Sequence, residues 1–141
     1  MLYMYSYKNI LYIISAIAAS EKAMHYSREF TSPIEFLEAN EQMPFNATIT
    51  LLIAIAEEIK KTDKQLLQTQ PTIQWQKIAD MRNVLAHHYR GVDDEIVFDI
   101  VKNELPKLQL VFIQFIKLFP IDEVKELLQT EQYKHLYSII F

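Results

Sequence analysis

The sequence predicts an all-α protein, and three observations carry that expectation. Apolar residues recur at three-, four- and seven-residue steps, the spacing that lines one face of a helix. No run alternates apolar and polar residues long enough to make a strand. The chain also holds one glycine and five prolines, so breaks are few and fall near the ends of the periodic runs. The expected architecture is a single domain, 1–141, built as a bundle of four or five helices with short connections.

The first helix is expected from near Tyr5 to near Phe30, with Tyr3, Tyr7, Ile10, Ile14, Ile17 and Met24 on one face. Lys8 and the apolar run Ile10–Ala19 imitate a secretory leader, but the run is short of the ~20 residues a membrane span needs, and its helical period favours a first helix. Ser32 and Pro33, an N-cap residue followed by a first-turn residue, open a short helix reaching Glu38. The stretch 40–46, with Pro44, reads as a connection.

The next helix, roughly Ala47 to Thr62, is apolar almost all round in its first half, as a helix buried on several sides must be. Glu57 then appears one turn from both Ile53 and Lys61. It reads equally as an acidic group at the edge of the core or as a solvated partner of Lys61. Thr62 to Thr72 is a polar loop with a helical turn near Lys64–Leu67, and a third long helix starts at Ile73. Trp75 in its first turn is either a core anchor or a platform for a ligand. Asp93 and Asp94 start a helix to Glu104, Pro106 marks a kink or restart, and Leu108 to Phe119 is again apolar. Pro120 breaks the chain, and Asp122 caps an added C-terminal helix over about 122–138.

Composition limits the function. Zero cysteines exclude disulfides, thiolate metal sites and cysteine nucleophiles, and favour a cytoplasmic protein. A net charge of −4 argues against bulk binding to a nucleic-acid duplex. It leaves room for a local basic cleft formed from Lys60, Lys61, Lys64, Lys77, Arg82 and Arg90.

The unusual chemistry is concentrated between Trp75 and Gly91, where Arg82, Asn83, His87 and Tyr89 precede the only glycine. That glycine suggests a sharp turn. In an ideal helix Arg82 and Tyr89 share a face, whereas His87 lies about 140° from Arg82 around the axis. The two can then act together only if the helix breaks before Gly91. Arginine is a permanent bidentate donor to phosphate, and histidine moves protons near neutral pH. Together they suit metal-free RNA cleavage by internal attack of the 2′-hydroxyl, with no cofactor. Adjacent His87 and His88 diverge on a helix and make poor metal ligands. The alternatives are structural: Arg82 pairs with an acid, His87 complements the helix dipole and Tyr89 packs.

The order Arg82-Asn83-Val84-Leu85-Ala86-His87-His88-Tyr89 resembles the Arg-x4-His-x-Tyr motif of the HEPN superfamily, and more narrowly of HepT-type toxins paired with a minimal nucleotidyltransferase antitoxin of the MntA type. Pro71 to Met81 is similar to that family's lead-in, Gly91-Val92-Asp93 to its opening of the next helix, and Leu105-Pro106-Lys107-Leu108 to its Leu-Pro-x-Leu. Glu57 falls at a Gly-Glu-Ala step, with Ala56 in place of the glycine, and Gln74 replaces a proline. The resemblance is clear over 47–119.

The resemblance implies a HEPN-like bundle forming a symmetric homodimer, and a metal-independent endoribonuclease toxin of a type VII-like toxin–antitoxin pair acting on tRNA or mRNA. Its active site would lie between two protomers, with Arg82 and His87 as the catalytic pair and Asn83 and Glu57 supporting. Tyr89 would receive AMP from the MntA-type partner and so be neutralised. The competing expectation is a non-catalytic helical module that binds a nucleotidyltransferase and its nucleotide or substrate.

Overall fold

The computed structural model describes residues 5–87 and 91–141. Three long helices form its centre. Helix α1 (Lys8–Ser27) buries Ile10, Ile13, Ile14, Ile17 and Ala23 against α3 (Met43–Lys61) and α7 (Leu105–Ile116). The side-chain ties give the directions. Asn9 near the start of α1 meets Asp63 just past the end of α3, while Gln109 in α7 donates to Ser20 and Glu21 in α1. Helix α1 therefore runs antiparallel to both neighbours.

Asn9 is almost fully buried and fully used. Its Nδ2 donates to the Ser6 carbonyl at 2.8 Å and to Asp63 Oδ2 at 3.0 Å, while its Oδ1 accepts from the Asp63 amide at 2.9 Å. A buried polar group costs little when every donor and acceptor is matched, and this one fixes the register of α1 on α3.

Between α1 and α3, Ser32 accepts from the Glu35 amide at 3.3 Å and starts α2 (Pro33–Glu38) as its N-cap. Phe36 of α2 is fully buried against Phe30, Phe45 and Phe98, with ring centroids 5.5, 5.7 and 6.0 Å away, and closes one end of the bundle. The turn into α3 places Asn40, Glu41 and Gln42 consecutively at φ of 48°, 57° and 69°. Left-handed backbone costs a residue with a Cβ about 1–2 kcal/mol, and only the asparagine suits it well. Pro44 lies in the first turn of α3, where a missing N–H is harmless, so the helix begins four residues before Ala47 and the expected connection over 40–46 is shorter.

Helix α4 (Lys64–Leu67) is the expected single turn, and α5 (Trp75–His87) packs against α3. Helix α6 (Asp94–Asp99) is capped by Asp93, whose carboxylate accepts from the Glu95 amide at 2.9 Å. It passes through a five-residue π-helical segment, Ile100–Glu104, into α7. Pro106 has no N–H to offer four residues back, so the turn before it widens instead of breaking. Lys102 in this segment caps α1 by donating to the Ser27 carbonyl at 2.7 Å.

The C-terminal expectation needs correction. Asp122 is not a cap: α8 (Ile121–Leu128) starts after Pro120, with Asp122 in its first turn, and stops at Leu128. The Thr130 hydroxyl donates to the Leu127 carbonyl at 2.9 Å, which competes with helix continuation. A 3₁₀ turn, Lys134–Leu136, then leads to α9 (Tyr137–Ile140), so no single helix covers 122–138. Among the described residues there is no strand, and no helix is long and apolar enough to cross a membrane.

Candidate active site

Helix α5 carries the Arg-Asn-x3-His stretch and is held by few anchors. Trp75 is one of them. Its indole N–H donates to the Leu67 carbonyl at 2.9 Å and the Gln70 carbonyl at 3.3 Å, and its ring stacks on Phe115 at 6.0 Å between centroids. That decides between the two sequence readings: Trp75 is a core anchor. Leu85 is the sole fully buried residue of α5.

The third anchor is polar. Arg82 Nε donates to Glu57 Oε1 of α3 at 2.5 Å, and Arg82 Nη1 donates to Asn83 Oδ1 at 3.3 Å. The pair lies at the protein edge, with side chains 36% and 35% exposed. Glu57 is therefore not the partner of Lys61, which pairs with Glu58 at 3.4 Å and lies 5.9 Å from the centre of the Tyr12 ring. Of the two readings open for Glu57 in sequence, the acid at the edge of the core holds.

His87 is the last residue of α5 and is exposed. The described part of α5 is regular through His87, and the rest of the stretch where the expected break before Gly91 would fall, 88–90, lies outside the described residues. On one chain the two side chains diverge by about 140°, and no hydrogen bond or ion pair joins them among the described residues. The structure thus brings Arg82, Asn83 and Glu57 together and leaves His87 apart. Tyr89, like His88 and Arg90, lies outside the described residues.

Gly91 itself lies within the described residues, but the stretch 88–90 leading into the expected turn does not. The φ of Gly91 is not positive, and a Cβ there would meet nothing within 4 Å, so no steric demand calls for glycine. Among the described residues the left-handed backbone is at Asn40–Gln42.

Beside α5 lies a groove of about 720 Å³ whose wall includes Ile78, Met81, Ile96, Ile100, Leu105 and Leu108. Ile96 is 59% exposed and Val84, on α5, is 52% exposed. Exposed apolar side chains in the groove and on α5 mark a surface that suits further packing. The i, i+4 spacing of Ile96 and Ile100 is the sequence signal for this groove. Among the described residues no three His, Asp or Glu side chains are grouped so as to hold a metal ion.

A family model described as "Ribonuclease HepT-like" matches residues 17–115, from within α1 to the end of α7. The chain belongs to the HepT-like ribonuclease family. This HepT-like chain is 34% identical over 89 residues to a Methanocaldococcus jannaschii protein bearing an RNase name, covering 62% of this chain and 74% of that one. A second protein of that organism, also bearing an RNase name, is 33% identical over 79 residues, covering 55% and 65%. A Thermococcus cleftensis protein named as a probable ribonuclease HepT is 32% identical over 90 residues, covering 62% and 81%. No solved structure matches the chain. The family match begins about thirty residues before the stretch in which the sequence resemblance is clear, and it takes in the second half of α1.

Proposed function

We propose that this HepT-like protein is a metal-independent endoribonuclease, the toxin of a toxin–antitoxin pair. The observation that carries the reading is the Arg82 guanidinium, held at the protein edge by Glu57 and Asn83 within the family-matched stretch. In the reaction the RNA 2′-hydroxyl attacks the adjacent phosphorus, the bond to the 5′-oxygen breaks, and a cyclic phosphate and a 5′-hydroxyl result. Arg82 offsets the charge that builds on the phosphoryl oxygens. His87 takes or delivers a proton.

The divergence of Arg82 and His87 along one regular helix supports a site completed by a second protomer. A two-fold axis beside α5 lets Arg82 of one chain and His87 of the other face one phosphate, and the apolar groove and exposed Val84 and Ile96 offer surface for that contact. The test is cleavage of single-stranded RNA in excess chelator. The wild-type protein should cut, and His87→Ala should lower the rate by about 10²-fold or more. RNA that survives the wild-type protein would instead favour the non-catalytic binding module.

Control belongs to the partner. A nucleotidyltransferase of the MntA type would supply ATP chemistry in which the Tyr89 hydroxyl attacks the α-phosphorus and pyrophosphate leaves. Each AMP adds a negative phosphodiester and a bulky nucleoside near the motif, competing with RNA for Arg82. Co-expression should add one or more AMP masses, and Tyr89→Phe should abolish that addition while toxicity persists. Modification of the substituted protein would move the acceptor to another hydroxyl, such as that of Tyr3, Tyr7 or Tyr26.

A further inference from the structure

Arginine has five N–H donors arranged in a planar fork, with a side edge made by Nε and one Nη and an outer edge made by the two Nη groups. In this protein Glu57 takes the Nε proton and Asn83 takes one Nη1 proton. Among the described residues no other acceptor is bonded to Arg82, so Nη2 and the second Nη1 proton are uncommitted. Glu57 reaches Arg82 from a different helix, α3, whose neighbouring residues Ile55, Ala56 and Ile59 are buried. It is anchored by the core, whereas α5 has Leu85 alone fully buried. The fixed partner is the carboxylate, and the guanidinium is the group being placed.

The geometry points to Glu57 as the positioning residue that decides which edge of Arg82 meets the RNA phosphate. With Nε engaged, a phosphate cannot take the side edge bidentately; it must approach the outer edge, through Nη1 and Nη2. This rests on the reading that Arg82 receives the scissile phosphate. Holding a long, flexible side chain in one orientation removes the entropy loss that would otherwise accompany binding, and a misplaced donor costs rate steeply. The carboxylate also balances the arginine charge in the resting site. Ground-state attraction for RNA is thereby reduced while the directed donors are kept for the transition state. Those two effects separate experimentally, because glutamine keeps an acceptor oxygen and loses the charge.

The test uses the full chain with Glu57→Ala and Glu57→Gln, and two readouts. Kinetically, Glu57→Ala should lower kcat about tenfold or more while KM stays the same or falls, and Glu57→Gln should recover most of the lost kcat with KM lowered. An alanine variant with undiminished kcat would overturn the assignment. So would one with raised kcat, which would make the carboxylate a blocking occupant. By nitrogen-15 NMR, the Arg82 Nε–H resonance, assigned by its loss in Arg82→Lys, should be protected from exchange in the wild-type and Glu57→Gln proteins and lost in Glu57→Ala. It should stay protected when a non-cleavable single-stranded oligonucleotide with a 2′-deoxy scissile position is added. Loss of protection on adding the oligonucleotide would show that phosphate displaces Glu57 and takes the side edge, which overturns the proposal. The NMR readout does not need catalysis, so failure of the ribonuclease reading and failure of the positioning role are told apart.

Discussion

Replacing Arg82 with alanine is expected to lower RNA cleavage by about 10²- to 10³-fold, the scale at which a single directed donor to a developing oxyanion contributes. Arg82→Lys should restore little. Lysine has no Nε–H for Glu57 Oε1 to accept and no second donor at a fixed angle, so it can hold the carboxylate or face a phosphate but not both. A mixing experiment sharpens the result. If Arg82 of one protomer works with His87 of the other, Arg82→Ala and His87→Ala chains, each inactive alone, should regain activity when mixed, because one of the two sites in a mixed dimer then has both residues. Absence of any recovery after confirmed subunit exchange would place both groups in one chain, which the regular course of α5 through His87 argues against.

The second large effect is on stability. Phe36→Ala should lower the unfolding free energy by about 3–5 kcal/mol, since it removes a fully buried ring and leaves a cavity among three others. That is a large fraction of the roughly 5–15 kcal/mol by which domains of ordinary size are stable. Ile34 gives the control on the same helix: it is 53% exposed, so Ile34→Ala should shift the urea midpoint far less. Equal shifts for the two variants would mean that Phe36 does not close the end of the bundle.

The helical period placed most elements because a buried face imposes its spacing on the chain whatever the partner is. Ile10, Ile14 and Ile17 in α1 and the apolar run of α3 were legible for that reason, as were the caps Ser32 and Asp93, whose effects are local. Boundaries set by competition between bonds were less so. A Thr130 hydroxyl donating to Leu127 shortens the C-terminal helix, and at Pro106, where a kink or restart was expected, the turn before α7 widens. Among the described residues the left-handed turn falls on three residues that all carry side chains, which no residue-type signal marks.

The candidate site divides in the same way. The residue types at Arg82, Asn83 and His87, and the phosphate chemistry they suit, are properties of the local order of amino acids and of its resemblance to a family, and they could be read without coordinates. The partner of Glu57 could not. Lys61 one turn away and Arg82, twenty-five positions along the chain, were both available cations, and helix periodicity ranks only the near one. Packing of α5 on α3 settles the choice by bringing the distant arginine to the carboxylate, while Glu58 takes Lys61. The separation of Arg82 from His87 likewise rests on the structure, since it depends on α5 being regular from Arg82 through His87.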